Sequence, residues 1–286
     1  IEGIVTFISM IVMLDAVVGR IKEIKTMPIQ EGKKHMEITN YDIEFKDVYF
    51  GYDNHSVING VSFTAKQGEI TALIGSSGSG KTTLAKLTAR FWDIDRGKIL
   101  IGGEDISEID PETLLKKFSI VFQDVILFNS SIKDNIKIGK KDATDEEIVR
   151  AAKIARCYDF INKMPEGIDT IIGENGQRLS GGERQRISIA RAIIKNAPII
   201  IFDEATANVD PENEDKLQIA MEELTRNKTV IIIAHRLKTI KNADQILVLD
   251  NGKIVQRGTH EELIKIDGIY KNFVEARQMA VGWKLS

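Results

Sequence analysis

The run Gly75-Ser76-Ser77-Gly78-Ser79-Gly80-Lys81-Thr82 follows the apolar segment Glu69-Ile70-Thr71-Ala72-Leu73-Ile74 and opens a helical stretch over residues 81–90. A buried strand that passes through such a loop into a helix can be built in few ways, and this spacing of Gly, Lys and Thr is that of a phosphate cradle. Glycines let successive backbone N–H groups curve around a β-phosphate without Cβ clashes, and the positive end of the following helix dipole adds to the attraction. Lys81 is placed to reach the β- and γ-phosphates, and Thr82 to put its hydroxyl on Mg2+, an ion that prefers oxygen ligands and keeps several waters. Residues 75–83, Thr83 included, are therefore expected to hold a nucleoside triphosphate.

Around this loop, strand and helix signals alternate. Ile43, Phe45, Val48, Phe50, Val61 and Phe63 sit in short segments of strand propensity, with Asn59-Gly60 read as a turn between two of them, so an antiparallel β layer comes first. Residues 120–122, 199–202, 230–234 and 246–249 are β-rich apolar runs that, with 69–74, read as buried parallel strands. Asp110-Pro111 puts proline at a first helical position, and Thr144-Asp145-Glu146-Glu147 and Thr259-His260-Glu261-Glu262 have capping-box spacing. Asn251-Gly252 marks a terminal hairpin, and residues 268–280 supply a last helix. The fold class is α/β. With 286 residues, 43% of them hydrophobic, the chain can bury one full-sized domain and carry a smaller appendage. A net charge of −3 gives no polybasic surface for nucleic acid, and the single cysteine, Cys157, supports neither a disulfide scaffold nor a thiolate metal site.

The N-terminus differs from the rest. Residues 4–14 are almost wholly apolar, but a bilayer span takes about 20 such residues, and Glu2 and Asp15 do not suit a signal peptide. Val17, Val18, Ile21 and Ile24 extend the run at helical spacing. The segment reads either as the cytoplasmic end of a longer transmembrane helix or as an amphipathic helix packed on a soluble domain. Pro28 is expected to end it, and the polar stretch from Gln30 to His35 reads as a linker.

Two further motifs suit a triphosphate. The apolar strand Ile199-Ile200-Ile201-Phe202 ends in Asp203-Glu204, where Asp203 would hold Mg2+ and Glu204 would orient or deprotonate the attacking water as general base. Leu179-Ser180-Gly181-Gly182-Glu183-Arg184-Gln185-Arg186 has Ser180 and Glu183 at capping-box spacing ahead of a helix running through Ile194, and its two glycines bare backbone N–H groups toward an anion. By itself that motif is equally an ordinary capped helix. As a second phosphate site it is redundant within one copy, so Ser180 and Gly182 are expected on the γ-phosphate of a nucleotide held by another copy.

The run 179–186 resembles the signature sequence of ATP-binding cassette (ABC) proteins, and the resemblance covers roughly residues 38–278. It implies roles for residues otherwise anonymous. Tyr52, in Val48-Tyr49-Phe50-Gly51-Tyr52, matches the aromatic residue that stacks on adenine. Gln123, in Val121-Phe122-Gln123-Asp124, matches the glutamine that contacts Mg2+ and the attacking water at the joint with a helical subdomain. His235, in Ile233-Ala234-His235-Arg236, matches the histidine on the γ-phosphate, and Asp210 the loop that communicates across a dimer. That loop departs from the pattern, with Ala207-Asn208 where exporters often have Ser-Ala. Leu127-Phe128-Asn129-Ser130-Ser131-Ile132-Lys133-Asp134-Asn135-Ile136 and Gly173-Glu174-Asn175-Gly176 look like exporter cassettes, in which the latter segment lies against intracellular loops of a membrane domain. Ala16-Val17-Val18-Gly19-Arg20-Ile21 resembles the segment joining a last transmembrane helix to the cassette, which favours the membrane reading of the N-terminus.

The resemblance thus implies a P-loop NTPase core with a mostly parallel sheet, an N-terminal antiparallel β layer and an inserted α-helical subdomain over about residues 124–194. The expected division is a transmembrane-helix end at 1–27, a linker at 28–37 and a nucleotide-binding domain at 38–286. The implied activity is ATP hydrolysis with Mg2+ driving export across a cell membrane, with this domain on the cytoplasmic side. The implied partners are a second such domain, identical or different, and a transmembrane domain. Its catalytic residues would be Lys81, Gln123, Glu204 and His235, and its Mg2+ ligands Thr82, Gln123 and Asp203; Gly181 and Glu183 would join Ser180 and Gly182 on the opposing nucleotide. A chromosome-organising SMC protein would need a long coiled-coil insertion, and no sustained heptad run occurs. A tandem-cassette translation factor would need two copies, and a non-catalytic ATP-binding regulator is opposed by the intact Glu204.

Overall fold

The computed structural model describes residues 2–26, 30–36, 38–53, 55–122, 124–203, 211–234 and 237–283. Helix α1 (Glu2–Thr26) precedes a hairpin of β1 (Ile43–Tyr52) and β2 (His55–Ala65). Strand β3 (Ile70–Gly75) runs into α2 (Lys81–Thr88), followed by β4 (Arg96–Ile101), β5 (Glu104–Asp105), α3 (Pro111–Leu115) and β6 (Phe118–Val121). Helices α4 (Ile132–Lys137), α5 (Asp145–Ile154), α6 (Tyr158–Ile161) and α7 (Gly181–Lys195) form an insert before β7 (Ile199–Asp203). The chain continues through α8 (Pro211–Thr225), β8 (Thr229–Ile233), α9 (Leu237–Lys241), β9 (Gln245–Asp250), β10 (Lys253–Gly258), α10 (His260–Leu263) and α11 (Ile269–Trp283).

Two sheets result. One is antiparallel in the order β2-β1-β4-β5; the other runs β10-β9-β3-β8-β7-β6, parallel throughout except for the β9–β10 hairpin. The α/β class, the first β layer, the mostly parallel sheet and the helical insert are as the sequence implied. Apolar residues on both faces of the parallel strands explain why: each strand is divided between two cores by the period-2 alternation of its side chains. Ala72, Ile74, Ile200, Phe202, Val230, Ile232, Ile246 and Val248 face the core shared with the helical insert. Leu73, Ile199, Ile201, Ile231, Ile233, Leu247 and Leu249 face the core shared with the antiparallel sheet and α2.

Two local expectations are corrected. Asn59-Gly60 is no turn: it lies inside β2, where Val48 pairs with Val61 but Tyr49 with Asn59, so Gly60 is the extra residue of a bulge. Its φ of 74° suits a glycine in a bulge as well as one in a turn, which is why the dipeptide is ambiguous. Helix α2 stops at Thr88 rather than Arg90, because Arg90 adopts a positive φ of 53°. The stretch at 30–36 is tied to the domain by backbone: the Lys33 N–H donates to the Glu108 carbonyl at 2.7 Å, and the Asp110 N–H donates to the Lys33 carbonyl at 3.0 Å.

Helix α1 is exposed along its whole described length, so the alternative of an amphipathic helix packed on the domain finds no support. Its stretch Gly3–Thr26, with a mean hydropathy of 2.1, is long and apolar enough to cross a membrane.

Candidate functional site

Strand β3 lies inside the parallel sheet, and its carboxyl end delivers residues 75–80 to the amino end of α2. Gly75 takes a φ of 154°, and a Cβ there would stand 2.2 Å from the Leu249 carbonyl oxygen on β9. No larger residue fits the point where the chain leaves the sheet. Gly80 caps α2 at a φ of 102°. The loop is tied to the β9–β10 turn by the Gly252 N–H, which donates to the Ser79 carbonyl at 3.3 Å. Lys81 folds back into this loop: its Nζ donates to the carbonyls of Gly75 at 3.1 Å and Ser76 at 2.6 Å, and only 7% of the residue is exposed. Burial pushes its pKa below the ordinary lysine value, with Asp203 opposing the shift. Ser76, Ser77, Gly78 and Thr82 are exposed, while Ser79, Gly80 and Thr83 are buried. An ammonium held among loop carbonyls beside exposed residues at a helix start is a cation ready to be given a phosphate.

Asp203 closes β7, two strands from β3, at the same carboxyl edge of the sheet. It shares a narrow cleft with Thr82, Lys86, Phe91 and Phe122. Burial raises the Asp203 pKa above the usual carboxylate value; Lys86 and Lys81 pull it down, and Asp124 adds to the rise. Among the described residues there is no group of three His, Cys, Asp or Glu able to hold a metal ion alone. Thr82 at the start of α2 and Asp203 at the end of β7 bring one hydroxyl and one carboxylate to the carboxyl edge of the sheet, a donor set that fits Mg2+, which is bound through few protein oxygens together with substrate phosphates.

Tyr52, the last residue of β1, meets Trp92 at 5.2 Å between ring centroids and Phe50 at 4.9 Å, both nearly perpendicular to it. Lys86 lies over the Trp92 ring at 5.6 Å, so the aromatic cluster and the cleft at Asp203 share one helix, α2.

Ser180 caps α7. Its Oγ accepts from the Glu183 N–H at 3.3 Å, and its own N–H donates to the Glu183 carboxylate at 2.8 Å, the reciprocal pair that the spacing predicts. Such a cap is worth about 1 kcal/mol. Because Oγ accepts in this arrangement, its proton stays available to a second acceptor. Ser180 and Gly181 are exposed and Gly182 is buried. Among the described residues, no hydrogen bond or ion pair joins residues 180–183 to residues 75–83.

A groove of about 390 Å³ opens between β6 and α7, with Phe122, Ile126, Phe128 and Ile138 exposed along it. Its wall is rigid: buried Asn135 donates to the Phe128 carbonyl at 3.0 Å and accepts from the Phe128 N–H at 2.9 Å. Arg191 of α7 donates to the Asn135 and Ile126 carbonyls at 2.9 and 3.1 Å. Asn175 holds the same loop, accepting from the Leu127 N–H at 3.2 Å.

Gln123, Glu204, Asp210 and His235 lie outside the described residues. Three of them follow closely in sequence on strands that end at the common edge, Gln123 after β6, Glu204 after β7 and His235 after β8. Sequence reading missed Lys86 and Trp92; the i+4 spacing of Lys86 from Thr82 was the only available signal for the first.

The ABC transporter family profile matches residues 58–207. The chain is 49% identical over 228 residues to the ATP-dependent lipid A-core flippase of Syntrophus aciditrophicus (strain SB), covering 80% of this chain and 38% of that protein. It is 47% identical over 238 residues to the protein of the same name from Legionella pneumophila (strain Paris), covering 83% of this chain and 40% of that one. Its fold is similar, with a TM-score of 0.85 and 40% identity, to a bacterial Atm1-family ABC exporter solved with ATP bound, over 93% of this chain and 47% of the other. The chain thus spans about two fifths of the length of these curated relatives.

Proposed function

Since the chain belongs to the ABC transporter family, we propose that it is the ATP-hydrolysing part of an exporter, in which two copies close head to tail on two ATP molecules and move attached membrane helices. The observation that carries this reading is the pairing of two phosphate-suited helix starts, at residues 80–82 and 180–183, that no hydrogen bond or ion pair joins among the described residues. One copy supplies Tyr52 for the base, residues 75–83 for the phosphates, and Gln123, Asp203, Glu204 and His235 around the γ-phosphate; the other supplies Ser180, Gly181, Gly182 and Glu183. Asp210 would belong to the loop that, by the family resemblance, communicates across the dimer. Thr82 and Asp203, with Gln123, would hold Mg2+, which when bound offsets charge on the phosphate oxygens.

Closure draws on charge-assisted hydrogen bonds from Lys81 and from the backbone N–H groups at two helix starts. Glu204 takes up the proton of the attacking water, and His235 donates to the γ-phosphate. Cleavage divides the charge between two products held on opposite faces, whose repulsion reopens the pair. Helix α1 supports a place in the membrane; the cytoplasmic side for this domain is what the family resemblance implies. The groove between β6 and α7, flanked by residues 126–138, suits the apolar end of an intracellular loop from a membrane domain. The relatives are of two kinds, a lipid A-core flippase and an Atm1-family ABC exporter, so no single cargo carries over to this chain.

The test is ATP binding and hydrolysis followed against pH. Hydrolysis is expected to require Mg2+. Phosphate oxygens favour the ammonium of Lys81, whereas burial disfavours it in the free protein. Binding therefore takes up a proton between the lowered free pKa and the higher bound one, and ATP affinity falls as pH rises through the free value. Calorimetry at alkaline pH in buffers of different ionisation enthalpy reads this uptake directly. An absence of Mg2+-dependent hydrolysis would defeat the functional reading, and buffer-independent binding heats would remove Lys81 from the phosphates.

A further inference from the structure

We propose that Trp92 is a positioning residue for the nucleotide base, fixing the plane of the Tyr52 ring against which adenine stacks; the inference rests on the reading of Tyr52 given above. Tyr52 is the last residue of its strand, so the strand alone does little to hold its side chain. Among the described residues no hydrogen bond reaches its hydroxyl; its ring packs at the edge of the core shared with the antiparallel sheet, and two perpendicular ring contacts set its tilt. Phe50 and Trp92 both stand at 86° to it, with centroids 4.9 and 5.2 Å away. Phe50 comes from the same strand and moves with Tyr52, whereas Trp92 comes from the turn after α2 and ties the ring to the phosphate-binding part of the fold.

The turn that carries Trp92 is anchored before and after it in the chain. Lys86 lies over its ring at 5.6 Å, and the Phe91 N–H donates to the Lys86 carbonyl at 3.2 Å. Three residues further on, Asp95 grips β1 twice: its N–H donates to the Tyr49 carbonyl at 3.0 Å, and its carboxylate accepts from the Gly51 N–H at 2.9 Å. The turn that carries Trp92 is therefore stitched to the strand that carries Tyr52, and the same turn begins where the phosphate-loop helix ends. This fixes the distance and tilt between phosphate cradle and base platform before a nucleotide arrives, so less ordering remains to be done on binding. Trp92 belongs to neither core, so removing its ring leaves both intact.

The experiment is a double-mutant cycle on KM for ATP and kcat in the full-length protein reconstituted in membranes. Tyr52→Ala is expected to raise KM by about 10-fold or more, the scale of losing one base–aromatic stack. Trp92→Ala is expected to raise KM by about 3- to 10-fold with kcat unchanged, the scale of one perpendicular ring contact. In the Tyr52→Ala background it should add nothing, since Trp92 acts through Tyr52. Trp92→Phe should recover most of the loss, and Trp92→Leu, which keeps bulk but has no ring edge, should not; this pair carries the test if the alanine variant folds poorly. An unchanged KM in Tyr52→Ala would overturn the reading of Tyr52. If Tyr52→Ala raises KM but Trp92→Ala does not, or if Trp92→Ala raises it equally in both backgrounds, the positioning role is wrong.

Discussion

Glu204→Gln lowers ATP turnover by at least about 10²-fold, the scale of a general base's contribution, while ATP affinity stays the same or tightens. Glu204 follows Asp203, whose strand ends at the edge of the sheet where the loop at 75–80 also emerges. The amide keeps the size of the side chain but cannot accept the proton of the attacking water. It also removes one negative charge from the neighbourhood of the phosphates, so binding is not weakened. The closed pair should then persist, because the event that separates the charges no longer occurs. Single-turnover hydrolysis and equilibrium ATP binding, measured on the same preparation, separate these effects. Unchanged hydrolysis would remove Glu204 from its role.

Lys81→Ala acts on binding itself. The ammonium offers the phosphates hydrogen bonds worth about 1.5–3 kcal/mol each, so ATP affinity should fall by roughly 10- to 150-fold. In the nucleotide-free protein the same group donates to the carbonyls of Gly75 and Ser76, so the substitution also loosens the loop. It should not unfold the domain. Burial already disfavours the charged form of Lys81, and removing an ammonium that the fold holds at a cost leaves the thermal midpoint near its original value. Weakened binding with an unchanged midpoint is the expected pair of results. Equal ATP affinity by calorimetry would contradict the assignment of the loop.

How much of this was legible in the sequence depended on whether the signal was local. The central strands announce themselves because both faces are buried, which leaves continuous apolar runs such as Ile199-Ile200-Ile201-Phe202. The capping boxes at Thr144, Ser180 and Thr259 were readable because each is closed within four residues. Strand β4 was passed over because it opens with exposed Arg96-Gly97-Lys98, which reads as a turn. The fastening of residues 30–36 was hidden because it is made by backbone groups of Lys33, Glu108 and Asp110, and no side-chain pattern encodes it. The site divides in the same way. The loop at 75–82 and the cap at 180–183 are contiguous motifs, whereas the approach of Trp92 to Tyr52 is created by the fold, when the turn after α2 is drawn onto β1.

The most direct test of the central claim is whether the two helix starts from separate copies meet on one triphosphate. Two differently tagged copies, one carrying Ser77→Cys and the other Ser180→Cys, are assembled in the Glu204→Gln background and treated with a short thiol cross-linker. Both positions are exposed, and the native Cys157 is fully buried, its thiol pushed further from ionisation by that burial, so it does not compete. The account predicts a cross-link between the two tags that forms with ATP and Mg2+ and is lost when nucleotide is withheld. A cross-link that never joins the two tags, or that forms equally without ATP, would contradict it.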